Sequence, residues 1–176
     1  MVILKTITFY FSLNSLGYFL GLKGKVYKWL VKSEPGEYSI DSLKKDKSTI
    51  WDGVRNYQAR NFMKEMKTGD EVIFYHSVTE PVGIAGVAKV NKQAMPDPTQ
   101  FNKKSKYFDE KASKDNPRWF CPELKFVRKF TKVLPLSELK DQKALKNMVL
   151  LRRGNRLSVM PVTDSEFKAI LKLVDK

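Results

Sequence analysis

Glu71-Val72-Ile73-Phe74-Tyr75-His76, a turn containing Pro81, and Val82-Gly83-Ile84-Ala85-Gly86-Val87-Ala88-Lys89-Val90 make up the stretch that decides the fold. Both runs are short and rich in β-branched or aromatic residues, and the proline-bearing turn between them predicts a pair of antiparallel strands. Gly83 and Gly86 inside the second run predict a bulge, a sharp bend or a close approach of another backbone, all features of small barrels.

Upstream of this stretch, Val26 to Val31 reads as a strand that stops at Glu34-Pro35-Gly36. Ser39 to Leu43 reads as a short capped helix, and Asn56 to Met66 as a longer amphipathic one. In the latter, Ala59, Phe62, Met63 and Met66 recur at i, i+3, i+4, i+7, and Gly69 is placed to close the end in a left-handed conformation. Downstream, Leu124 to Val133 reads as a strand, Leu136 to Met148 as helical and Leu157 to Val162 as a last strand. Thr163-Asp164-Ser165-Glu166 is a capping box ahead of Phe167, Ile170, Leu171 and Val174, the apolar face of a final helix. Pro96 to Pro117 is polar, lysine-rich and too long for a plain connector, which predicts an ordered functional loop. Strands that do not alternate regularly with long helices predict an α+β fold, a small mixed or antiparallel barrel with helices outside, and argue against a doubly wound parallel sheet.

The 176 residues suit one domain, and 42% hydrophobic with 30% charged residues is the composition of a chain that buries a core. A net charge of +14 and a pI near 9.8 favour a polyanionic partner, nucleic acid first, although a lysine-rich solvated surface gives the same numbers. Cys121 is a lone cysteine and His76 a lone histidine, so neither a disulfide nor a soft-ligand metal site is expected, and no cofactor is called for. The compartment reads as reducing: cytoplasmic, or nuclear in a eukaryote. Met1 to Gly24 is apolar but broken by Ser12, Asn14, Ser15 and Gly17, short of the ~20 apolar residues of a spanning helix. It also lacks a good signal cleavage site. Residues 1–25 are therefore expected to be an extension of uncertain status, and 26–176 the domain.

Several short motifs follow in order: Lys32-Ser33-Glu34-Pro35, Trp51-Asp52-Gly53-Val54-Arg55-Asn56-Tyr57-Gln58-Ala59-Arg60, Gly69-Asp70, and Phe74-Tyr75-His76-Ser77. Gly83-Ile84-Ala85-Gly86, Pro96-Asp97-Pro98-Thr99, Pro117-Arg118-Trp119 and Arg156-Leu157-Ser158-Val159 continue the series. Together they resemble the EVE domain family of the PUA-like superfamily, over roughly Tyr27 to Leu173. The resemblance implies a PUA-like pseudobarrel and a pocket similar to the aromatic cage of YTH domains, which accepts a flipped, modified base of DNA or RNA. Met95 departs from the pattern, since many members carry an aromatic residue there.

Reading a modified base needs aromatic faces, directed polar groups and cations for the phosphates. Trp51, Tyr57 and Trp119 are the aromatic candidates within the motifs, against the plainer reading that each is core. Ser33, Asn56 and Ser158 can bond a base edge, while Asn56 is equally placed to cap the helix it opens. His76 joins the pocket set as a hydrogen-bonding residue at a strand end. Arg55, Arg60 and Arg156 are candidates for phosphate or base-edge contact, and Lys103, Lys104, Lys106 and Lys111 form a looser basic patch on the long loop.

The sequence holds no nucleophile elbow, phosphate-binding glycine loop or metal-ligand set, so non-catalytic binding is the expected activity. Two alternatives stay open. One is an amidohydrolase-like enzyme on modified nucleosides, in the manner thought to hold for the ASCH branch of the superfamily, using Lys32, Glu34 or His76. The other is an RNA-binding accessory factor indifferent to modification.

Overall fold

The computed structural model describes residues 25–175. The expected N-terminal extension, residues 1–25, lies outside the described residues but for Lys25.

Six strands form one mixed sheet: β1 (Lys28–Ser33), β2 (Ser48–Ile50), β3 (Glu71–His76), β4 (Gly83–Pro96), β5 (Phe120–Pro135) and β6 (Val159–Val162). Their spatial order is β2-β5-β4-β3-β1-β6. All pairings are antiparallel except β1 with β3, which run parallel with Trp29 opposite Val72 and Val31 opposite Phe74. The end strands β2 and β6 are not neighbours, so the sheet is open and the expected barrel is not closed. Four helices complete the α+β fold: α1 (Ile40–Asp46), α2 (Tyr57–Glu65), α3 (Leu136–Lys140) and α4 (Asp164–Val174).

The decisive strand pair forms as its sequence demands. β3 and β4 pair with a register shift at Phe74/Tyr75, and β4 slips against β5 at four further places. Each irregularity adds local twist, which bends these long strands around the core. Gly83 and Gly86 are required for that closeness: a Cβ would stand 2.2 Å from the Leu134 carbonyl oxygen at Gly83 and 2.3 Å from that of Arg128 at Gly86.

Alternation along the strands gives the sheet two apolar faces. Trp29, Val31, Val72, Phe74 and Leu124 face one core with Ala59, Met63 and Met66 of α2 and Leu43 of α1. Leu30, Ile73, Ile84 and Met160 face the other, with Leu139, Phe167 and Ile170 of α3 and α4. The α4 capping box is present, with Thr163 accepting from the Glu166 N–H and Glu166 answering at the Thr163 N–H.

Two expectations need correction, and one strand was not expected. Leu136 to Met148 is not one helix: α3 stops at Lys140 and short 3₁₀ turns follow at Lys143–Leu145 and Val149–Leu151. Gly69 is left-handed (φ +97°) but does not close α2, which ends in an extended Met66. Instead it lies in the turn into β3, where its N–H reaches the Val90 carbonyl and the next residue, Asp70, gathers the Tyr27 and Lys67 N–H groups and the Trp29 indole. The strand β2 went unrecognised because three residues, two of them polar, carry no period.

Candidate functional site

A cleft of about 510 Å³ opens where the β1–α1 turn, the β2–α2 segment and the long loop meet, with Ser158 from the segment before β6 at its edge. Three aromatic rings line it: Tyr38, Trp51 and Tyr107. Trp51 is 8% exposed, wedged edge-on against Phe74 (centroids 5.4 Å) and Tyr38 (6.5 Å), so its indole is fixed by the core while lining the cleft. Its backbone N–H is tied to the Pro122 carbonyl at 2.8 Å, which sets the height of the whole segment.

The wall beyond Trp51 is pinned by Asp97, whose side chain is 1% exposed. Gly53 N (3.0 Å) and Arg55 Nη1 (2.8 Å) donate to its Oδ2, and Thr99 N (2.7 Å) and Thr99 Oγ1 (2.5 Å) to its Oδ1. Burial works to raise the Asp97 pKa, but the hydrogen bonds from Arg55, Thr99 and Gly53 overcome it and hold the carboxyl below its ordinary value. Gly53 has φ +75° and carries no Cβ where the Tyr107 ring would stand 2.6 Å away, so the loop closes directly onto it. Asp52 sits beside these residues in the cleft lining; desolvation, then the Asp97 charge, push its carboxyl above the usual range.

The sequence candidates divide between lining and support. Ser33, Trp51, Arg55, Lys106 and Ser158 line the cleft. The Ser33 hydroxyl donates to the Tyr38 carbonyl (2.5 Å) and keeps its lone pairs to accept. Lys106 bridges to Glu37 at 3.0 Å, joining the long loop to the β1–α1 turn across the rim.

Tyr57 and Trp119 are not in the lining. They stack on each other (4.8 Å, 22° between planes), with the Trp119 indole N–H donated to Asp109 at 2.7 Å and Arg55 over the ring at 5.3 Å. Trp119 is 6% exposed, while the Tyr57 ring stacked on it stays 49% exposed, outside the cleft. Asn56 is the α2 cap, accepting from Ala59 N at 3.0 Å. His76 is 8% exposed and accepts the Ile40 N–H, the first of α1, on Nε2 at 3.1 Å, so its neutral form is built in; burial lowers its pKa.

Arg55 cannot grip phosphate as it stands. Its five N–H groups go to Tyr107 O (from both Nε and Nη2), Val54 O, Asp97 and Thr99 Oγ1, making it the strut that holds the long loop to the wall. Arg60 lies over Tyr57 (4.8 Å) and bonds Arg118 O and Asn61. Arg156, Lys103, Lys104 and Lys111 are exposed outside the cleft lining. The long loop is ordered as expected, a 3₁₀ turn at Pro98–Phe101 followed by turns bonded to Gln100 and Asn102. Sequence reasoning missed Tyr38, Asp52 and Tyr107; their one signal was position, within the first motif's turn, inside the second motif and on the long loop.

Residues 27–173 match the family model described as "EVE domain". The chain belongs to the EVE domain family. It is 45% identical to thymocyte nuclear protein 1 of Homo sapiens over 174 residues, covering 88% of this chain and 77% of the human one. A protein from Leishmania major superposes with a TM-score of 0.83 at 47% identity, covering 86% of this chain and 96% of that structure. The crystal structure of human THYN1 protein in complex with 5-methylcytosine-containing DNA superposes with a TM-score of 0.80 at 44% identity, covering 85% and 98%. Among the described residues no helix is long and apolar enough to cross a membrane, and no group of three or more His, Cys, Asp or Glu side chains could hold a metal.

Proposed function

We propose that this EVE domain binds DNA carrying a modified cytosine, 5-methylcytosine first, by taking the extruded base into the cleft of Trp51, Tyr38 and Tyr107 and releasing it unchanged. The observation that carries the reading is the combination of three rings and a few convergent polar groups in one open cleft. It belongs to a chain 44% identical, over 85% of its own length and 98% of the other's, to a protein solved on 5-methylcytosine DNA. A volume of about 510 Å³ lies within the ~300–1,000 Å³ of ordinary small-ligand sites. The Asp52 carboxylate is the group suited to a cytosine, whose N4 amino group donates, and the rings suit its face and a 5-methyl group.

Binding without turnover is supported by the position of the groups an enzyme would need. The His76 Nε2 is spent on the Ile40 N–H, and burial pushes the Cys121 thiol up to about 12, so neither is poised to react. Lys32 and Glu34 line the cleft; burial lowers the Lys32 pKa, but among the described residues neither side chain is hydrogen-bonded to a nucleophile or a base. The names of the relatives and the reducing character of a single-cysteine chain support a nuclear or cytoplasmic site of action.

The test is equilibrium binding to two duplexes that differ by one methyl group. Trp51→Ala should weaken binding to the methylated duplex by at least ~1 kcal/mol, about fivefold, and change the unmethylated one less. An equal loss on both, or a product released from the methylated strand, would overturn the reading.

A further inference from the structure

A second cleft, of about 420 Å³, is lined by residues that the first does not use. Phe62, Val149, Leu157 and Pro161 contribute its apolar lining and Arg152 and Arg153 its charge. The two clefts share no residue but draw on the same two segments. The segment before and along α2 gives Val54 and Arg55 to the first and Gln58 and Phe62 to the second, while the segment into β6 gives Ser158 to the first and Leu157 and Pro161 to the second.

The arginines sit on a built turn. The Asn155 N–H returns to the Arg152 carbonyl at 3.1 Å, Gly154 supplies the left-handed corner (φ +76°), and Asn155 fixes the turn to the body through Val149 O (2.9 Å) and Leu157 N (3.0 Å). Arg152, Arg153 and Arg156 are all exposed, and among the described residues none has a carboxylate partner, whereas Arg55, Arg118 and Arg128 each do. Three unpaired guanidinium groups within five residues repel one another in the free protein, and a polyanion laid across them relieves that repulsion. Their fork geometry matches phosphate oxygens.

We propose that the Arg152-Arg153-Gly154 turn and the cleft beneath it hold the sugar-phosphate backbone of the same DNA strand, next to the nucleotide whose base enters the first cleft. This rests on the reading of the first cleft as a base site. The arginines take two successive phosphates, and the apolar side chains lie under the deoxyribose between them. The turn thus sets affinity for any sequence, and the Trp51 cleft sets preference for the modification.

The experiment compares wild type, Arg152→Gln/Arg153→Gln and Trp51→Ala on methylated and unmethylated duplexes over a salt series, after matched thermal melts show that all three are folded. Losing two phosphate contacts should lower the slope of log K against log salt by about 1.8 and weaken both duplexes equally, by roughly tenfold or more at 0.1 M salt, with the methylation preference kept. Trp51→Ala should leave the slope and lose the preference. A double variant with the wild-type slope and affinity overturns the turn as a DNA contact, including the case in which it serves an acidic protein instead. If wild type shows no methylation preference, the base-cleft reading fails, yet the slope change still decides whether the turn touches DNA.

Discussion

Asp97→Asn is the most informative single change, because the consequence can be counted donor by donor. Four N–H or O–H groups converge on the two carboxylate oxygens, two on each. An asparagine in the same place must turn its NH₂ toward one pair: toward Gly53 and Arg55 it strips two N–H donors of their acceptor, and toward Thr99 it strips the Thr99 N–H and forces the hydroxyl to reverse and accept. At ~1–3 kcal/mol for each unsatisfied buried group, and with the Arg55 charge left half-buried without its partner, the cost is about 3–5 kcal/mol. A domain of this size melts ~2–4 °C lower per kcal/mol, which places the variant roughly 6–20 °C below wild type. The assay is thermal unfolding followed by circular dichroism at pH 7, with Arg55→Met and the double variant completing a cycle. The double variant should be little worse than the worse single one, because both lose the same strut. A melting point within ~2 °C of wild type for Asp97→Asn would refute the view that this carboxylate organises the wall. The contribution also has a definite pH sign: with its folded pKa below the ordinary 3.8, Asp97 stabilises fully above that value and loses its effect as pH falls through the lower folded value.

Two further outcomes follow from the same geometry. Gly53→Ala combines a φ of +75° with a Cβ 2.6 Å from the Tyr107 ring, and should cost about 2–4 kcal/mol in denaturant unfolding; a loss under ~0.5 kcal/mol would mean the loop does not rest on Gly53. His76 has a folded pKa below 6.5, so its contribution is complete above 6.5 and lost progressively as pH falls below it. Wild type should therefore destabilise between about pH 7 and 5 more steeply than His76→Gln, whose amide oxygen still accepts the Ile40 N–H, and equal slopes in the two would contradict a neutral, helix-capping histidine.

The fold was largely legible because its decisive features are local. Gly83 and Gly86 announced a backbone crowding that the sheet shows at 2.2 and 2.3 Å, and the α2 stripe and the α4 capping box are patterns a chain declares within one or two turns. Leu136 to Met148 misled because its apolar residues serve separate short turns that pack on one core, Leu139 from α3 and Leu145 and Met148 beyond it. The site was half legible. Trp51, Ser33 and Ser158 meet in the cleft although they lie far apart in the chain. What no local pattern carries is the state of the partners. Trp119 reads as a base platform until Tyr57 is seen stacked on it, and Arg55 reads as a phosphate ligand until its five donors are traced to five protein bonds.

The central claim is that the base enters against Trp51, and the three tryptophans of the chain allow it to be watched directly. In a ¹H–¹⁵N correlation spectrum each indole N–H gives its own signal; those of Trp29 and Trp119 are donated to Asp70 and Asp109, while Trp51 lines the cleft. Titration with a duplex carrying one 5-methylcytosine should move the Trp51 signal most and leave Trp29 in place, with a smaller movement of Trp51 for the unmethylated duplex. A Trp51 signal that stays fixed while Trp119 moves would contradict the account and put the base on the Tyr57–Trp119 stack instead.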